Sequence, residues 1–156
     1  MLEILMGIYL RPATIEDAED ILRWRNDPST RENSFTKGEI SLASHINWLT
    51  KKLANPDCHI FIMMDGEAKV GNIRVDVTEG VGEISYMIAP ECRGKGYGKK
   101  IIGMVEEALR NSCGVSVVKT LTAFTLKNNE ASAKCFIANG YSYEDAEDSY
   151  CFSKSL

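Results

Sequence analysis

Arg93-Gly94-Lys95-Gly96-Tyr97-Gly98 stands between two segments of different periodicity. Ahead of it, Glu83-Ile84-Ser85-Tyr86-Met87-Ile88 reads as a strand, closed by Ala89-Pro90. Behind it, Ile101, Ile102, Val105, Ala108 and Leu109 recur at helical spacing as far as about Asn111. A chain that leaves a strand, turns through glycines and enters a helix presents unpaired backbone N–H groups at the positive end of the helix dipole. Arg93, Lys95, Lys99 and Lys100 add a local cluster of positive charge to a chain whose formal net charge is −4. The run is either a phosphate-binding loop or a basic turn that uses glycines for its geometry. Two other phosphate loops are excluded by spacing: G-x-x-x-x-G-K-[ST] needs a Gly-Lys-Ser/Thr that is absent, and G-x-G-x-x-G needs a differently spaced third glycine.

Outward from this run the chain mixes helix and strand. Ile8-Tyr9-Leu10-Arg11 reads as a strand, and Thr14 caps a helix with Asp17 in its first turn. That helix carries Ala18, Ile21, Leu22 and Arg25 and ends before Asp27-Pro28. The polar stretch from Asn26 to Gly38 reads as a loop with Phe35 as its large apolar residue. A second helix is predicted from about Glu39 to Leu53, with Leu42, Ile46, Leu49 and Leu53 facing the core and Ser41, His45, Trp48 and Lys52 about a quarter turn away. Ile60 to Met64, the turn Asp65-Gly66-Glu67 and a strand through Val77 form a hairpin. After the glycine run come a helix ending at Asn111-Ser112-Cys113-Gly114, a strand from Val117 to Thr125, a helix from about Asn129 to Asn139, and a last strand or hairpin from Tyr141.

The 156 residues, 44% hydrophobic and 26% charged, suit one folded domain over residues 1–156. A net acidic chain argues against non-specific nucleic-acid binding. Met1-Leu2-Glu3-Ile4-Leu5-Met6 lacks the basic region and apolar length of a signal peptide, and no run reaches membrane-spanning length. Cys58, Cys92, Cys113, Cys135 and Cys151 are odd in number and show no C-x-x-C pair, a pattern of reduced thiols in a cytoplasmic protein. No metal site is expected.

Arg93 to Gly98 resembles the [RQ]-x-x-G-x-[GA] signature of the GNAT superfamily of N-acetyltransferases. The preceding strand, Asn129-Glu130-Ala131-Ser132 and Asn139-Gly140-Tyr141 resemble the family's neighbouring landmarks, so the likeness covers essentially the whole chain. It implies an α/β (α+β) fold: a mixed, mostly antiparallel twisted sheet of six to seven strands flanked by about four helices. It also implies central strands, Glu83–Ile88 and Val118–Thr125, that splay apart. Acetyl-CoA is the implied co-substrate, contacted by Met87, Ile88, Arg93, Gly94, Lys95, Gly96, Tyr97, Gly98, Lys99, Asn129 and Ser132. In such enzymes an amine attacks the thioester directly, and Glu83 matches the position of a catalytic glutamate in some members. Glu83 is otherwise a solvated strand residue or a partner of Arg74. The position at which many members carry an acidic tyrosine is Phe136 here, so no general acid is assigned.

Trp24-Arg25-Asn26-Asp27-Pro28, Arg31, His45 and Trp48 are similar to a set found in acetyltransferases of nucleotide-linked amino sugars in the pseudaminic- and legionaminic-acid routes. The resemblance implies Trp24, Arg25, Asn26, Arg31, His45 and Trp48 as substrate contacts, since arginines grip diphosphates and indoles stack on bases or sugars. Core packing is the competing reading for Trp24 and Trp48, and a surface position for His45. Acetylation of a ribosomal-protein N-terminus and a non-catalytic CoA-binding sensor are the other functions in view. A monomer or homodimer is expected, with Tyr150-Cys151-Phe152 as a candidate edge strand for dimer pairing.

Overall fold

The computed structural model describes residues 7–112 and 117–156; the readings made on Met1 to Met6, Cys113 and Gly114 lie outside these. Strand β1 (Ile8–Pro12) leads into a 3-10 turn (Ile15–Asp17) and helix α1 (Ala18–Asn26). Thr14 and Asp17 form the expected reciprocal cap, the Thr14 hydroxyl accepting from the Glu16 N–H and the Asp17 carboxylate from the Thr14 N–H. The polar stretch after Asn26 is not all loop: Pro28–Glu32 forms a short helix, α2, because Pro28 sits at its first position and the Asp27 side chain caps the Thr30 N–H.

Helix α3 (Leu42–Ala54) is rotated from the expected orientation. Leu49 and His45 are buried, whereas Leu42 and Ile46 are exposed. The face carrying His45 turns toward Ala18 of α1 and the cavity described below.

Strands β2 (Cys58–Asp65), β3 (Ala68–Thr78) and β4 (Val81–Ile88) follow, then a 3-10 turn (Pro90–Cys92), helix α4 (Tyr97–Arg110), β5 (Thr120–Leu126), helix α5 (Glu130–Ala138), and the hairpin β6 (Ser142–Asp145) and β7 (Ser149–Ser155). The sheet order is β1-β2-β3-β4-β5-β7-β6. All pairs are antiparallel except β4–β5. The edge strand at the C-terminal end is β6, so Tyr150-Cys151-Phe152 is enclosed between two neighbours and is not available for pairing across a dimer.

Alternation along β2 feeds two cores. Phe61 and Met63 join Ile73, Ile101, Ile102, Val105 and Phe136 beneath α4 and α5. Ile60, Ile62 and Met64 join Ile21, Trp24 and Leu49 beneath α1 and α3. The parallel β4–β5 pairing lasts for four residue pairs, from Val81 with Thr120 to Ile84 with Ala123. Beyond it β4 stays with β3 and β5 stays with β7, so the two strands part at Ser85. Residues 85–88 and 124–126 thereby leave backbone groups facing each other across a gap.

Candidate active site

Two cavities open where β4 and β5 part. One, of roughly 470 Å³, runs along the glycine loop and is lined by Met87, Ile88, Arg93, Gly94, Gly96, Tyr97, Gly98, Lys99, Asn129 and Ser132, together with Cys135 and Tyr86. Lys95 is the one residue of the expected cofactor set outside this lining. The local backbone explains the glycines. Gly94 and Gly96 have φ of 75° and 81°, in the left-handed region that side chains avoid. A Cβ at either position would meet no protein atom within 4 Å, so the loop faces open space. Gly96 is the N-cap of α4 and no side chain caps that end, which leaves the first-turn N–H groups for an anion.

Two loop side chains are already engaged. Arg93 pairs with Asp27 at 3.1 Å and donates to the Thr30 hydroxyl at 2.6 Å, which ties the loop to α2. The Tyr97 hydroxyl donates to the Asp65 carboxylate at the end of β2. Asn129 caps α5 through the Ser132 N–H at 3.3 Å, and Asn139 secures α4 by donating to the Lys99 carbonyl at 3.0 Å.

The second cavity, of roughly 500 Å³, lies between the α1–α3 side and the parted strands. Arg25, His45 and Trp48 from the expected substrate set line it. Asn72, Arg74, Phe124 and Thr125 line it as well and were not anticipated, since strand alternation says which face a residue occupies but not which ligand space lies above it. The His45 ring stacks on Trp48 at 5.7 Å, and the Arg74 guanidinium sits over Trp48 at 5.1 Å. Burial pushes His45 below its ordinary pKa, opposed by the backbone of Ala18, so the ring is neutral at pH 7.

Four cavity residues carry buried polar atoms without partners: Arg25 Nη1, His45 Nε2, Asn72 Oδ1 and Thr125 Oγ1. An unsatisfied buried group costs about 1–3 kcal/mol, so their concentration here marks a place for a polar ligand. The two cavities share Asn33, Ser34, Tyr86, Met87, Asn129 and Ser132, which places their junction at the splay.

Several expected residues lie elsewhere. Trp24 is fully buried in the core under α1 and α3 and lines neither cavity. Asn26 is a clasp: its amide donates to the Ile40 carbonyl at 2.8 Å and accepts from the Ile40 N–H at 2.9 Å, holding the ends of the α2 segment together. Arg31 lines neither cavity, but it lies close enough to Arg25 to join burial in pushing that guanidinium below its ordinary pKa. Glu83 is exposed, paired in register with Asp76 and Thr122 in the closed part of the sheet, and lines neither cavity. Arg74, its suggested partner, bonds Asp76 at 2.8 Å instead.

Comparison with known proteins places this geometry. The model of the Acetyltransferase (GNAT) domain matches residues 8–142. The uncharacterized N-acetyltransferase YfmK of Bacillus subtilis (strain 168) is 30% identical over 95 residues, a match spanning 60% of this chain and 62% of that protein. Among solved structures, a spermidine N-acetyltransferase from Vibrio cholerae in complex with CoA and spermine superposes with a TM-score of 0.83 at 16% identity, covering 96% of this chain and 95% of that one. The aminoglycoside acetyltransferase AAC(6')-Ib in complex with coenzyme A gives 0.78 at 19% identity, with 96% and 95% covered. A domain from Methanocaldococcus jannaschii gives 0.80 at 23% identity, with 96% and 99% covered. A seven-stranded sheet parted beside a glycine-rich helix N-terminus, and a family match over most of the chain, together show that this protein belongs to the GNAT acetyltransferase domain family.

Proposed function

We propose that the protein is an acetyl-CoA-dependent N-acetyltransferase whose acceptor is a primary amine on an anionic small molecule, of the nucleotide-linked amino sugar type. The loop cavity holds the pyrophosphate and pantetheine of acetyl-CoA, and the other cavity holds the acceptor. The observation that carries the choice of acceptor is charge. Arg25 and Arg74 line the acceptor cavity, and among the described residues no Asp or Glu does. Arg25 Nη1 and Arg31 Nε are buried without partners on neighbouring guanidiniums, an arrangement of like charges that an anion would relieve. Trp48 and Phe35 supply apolar faces for a base or sugar. Polyamines, aminoglycosides and basic peptide N-termini would bring further positive charge to a site that offers them no carboxylate.

In this arrangement the acceptor nitrogen meets the acetyl carbon at the junction of the cavities. Backbone N–H groups freed along 85–88 can donate hydrogen bonds to the developing oxyanion. The chain's own contribution is mainly positioning.

Incubation with acetyl-CoA and a panel of UDP-amino sugars, peptides and polyamines, followed by CoA release, tests the proposal. Reaction with the amino sugars is expected. Reaction with peptides or polyamines alone would sink the anionic-acceptor reading, and acetyl-CoA binding without release against any amine would make the protein a sensor. Arg25→Ala and Arg74→Ala are each expected to raise the acceptor KM roughly 10- to 100-fold, the loss of a hydrogen bond to a charged group, while leaving the acetyl-CoA KM unchanged. Glu83→Gln is expected to keep kcat/KM within about twofold, as for an exposed substitution outside both cavities.

A further inference from the structure

We propose that Tyr86 Oη donates a hydrogen bond to the CoA sulfur as the acetyl group leaves it. The role rests on reading the loop cavity as the acetyl-CoA site and its neighbour as the acceptor site. Tyr86 follows Ser85, where β4 and β5 part, and it lines both cavities. Its hydroxyl donates to Ser132 Oγ at 2.9 Å, and Ser132, 7% exposed in the first turn of α5, also lines both. The ring is fixed edge-on against Phe136 at 5.9 Å. Its hydroxyl end passes the helix α4 N-terminus, where a Cβ on Gly98 would lie 3.7 Å from Oη and 3.2 Å from Cys135 Sγ. A rigid hydroxyl is thus presented where the two substrate spaces meet.

Burial raises the Tyr86 phenol well above its usual pKa, partly opposed by Ser132, so Tyr86 keeps its proton at working pH and serves as a donor. A thiol ionises near pH 8.5 and a phenol near 10, so full transfer of the phenolic proton to a thiolate would run uphill. In the step, the amine nitrogen forms a bond to the acetyl carbon and the C–S bond breaks. The electron pair of that bond goes to sulfur, which accepts the Tyr86 hydrogen bond as the phenolic O–H turns away from Ser132 Oγ. The nitrogen loses a proton to solvent, and the thiolate takes one up from solvent to give CoA.

The test separates sulfur recognition from folding and from acceptor identity. Tyr86→Phe removes one oxygen and keeps the ring contacts. Calorimetric binding of CoA and of desulfo-CoA would be compared for both proteins. Wild type is expected to bind CoA roughly 2- to 10-fold more tightly than desulfo-CoA, and Tyr86→Phe to bind the two equally. With an acceptor from the panel, Tyr86→Phe is expected to lose roughly 10- to 100-fold in kcat with both KM values within about twofold. Ser132→Ala, which leaves the Tyr86 hydroxyl in place, is expected to lose less than Tyr86→Phe. Equal weakening of both ligands by Tyr86→Phe, an unchanged kcat, or a larger loss in Ser132→Ala would overturn the proposal. Failure of the wild type to bind either ligand would instead overturn the acetyl-CoA site on which it rests.

Discussion

Asp17→Ala is expected to lower the free energy of unfolding by about 3 kcal/mol, measured by denaturant titration. The Asp17 side chain is 1% exposed. It accepts from Arg11 Nη1 at 2.9 Å and Nη2 at 2.8 Å, from Lys69 Nζ at 2.8 Å and from the Thr14 N–H at 2.9 Å. Removing it breaks the cap of the first helical turn and leaves Arg11 without a carboxylate, while Lys69 keeps Asp20 at 3.1 Å. Arg11 and Lys69 are each 30% exposed and recover some hydration, which keeps the loss at the low end of that for a broken buried pair. Against a typical total of about 5–15 kcal/mol the effect is large.

The same carboxylate gives the stability a pH dependence. Burial alone would raise its pKa, but hydrogen bonds from Arg11, Lys69 and Thr14 more than offset that and hold it well below the usual carboxylate range. An unfolded aspartate ionises near pH 3.9. Above that pH both states are ionised and the full contribution is present. As pH falls below about 4 the unfolded chain takes up a proton that the folded one refuses, so stability declines toward the folded pKa. The acid limb of a stability–pH curve should therefore be shallower in Asp17→Ala than in wild type. An equal slope would show that the carboxylate is not held low.

Gly96→Asp is expected to weaken acetyl-CoA binding roughly 100-fold, read by calorimetry, while the fold persists. Gly96 has a φ of 81° at the N-cap of α4, and a side chain there enters space that no protein atom occupies within 4 Å. Aspartate tolerates the left-handed region better than most residues, so the strain is about 1 kcal/mol. Its charge, however, would stand where the pyrophosphate approaches the helix N-terminus. Gly96→Asn, uncharged and similar in shape, separates the two effects and should lose no more than about tenfold. Binding unchanged by Gly96→Asp would remove the anion-loop reading.

These expectations differ in how far the sequence alone supports them. Local rules govern the loop: glycine takes the positive φ values at 94 and 96 without strain, and a helix N-terminus without a side-chain cap leaves its first-turn N–H groups open to an anion. The Thr14–Asp17 cap, the end of α1 before Pro28 and the β2–β3 hairpin were legible for the same reason, because each depends on residues a few positions apart. The α2 helix was missed although its own signals, Pro28 after a capping Asp27, are local; the surrounding polarity masked them.

The acceptor side was less legible because periodicity reports how apolar a face is, not what the face meets. An apolar stripe assigned Leu42 and Ile46 to the core, yet His45 is buried and they are exposed, since α3 turns its polar face toward a cavity. Trp24, Asn26 and Arg25 lie within three positions, yet packing sends the first into the core, uses the second as a clasp and leaves the third lining the cavity. Arg74, Asn72 and Tyr86 reach the site from β3 and β4, and Thr125 from β5, through a parting of strands whose extent depends on where the β4–β5 pairing stops. The sequence by itself determined the mixed fold and the glycine turn into α4, whose causes are short-range in the chain. Tertiary structure alone decided which side chains line the second cavity, because that choice is made by contacts between residues distant in sequence.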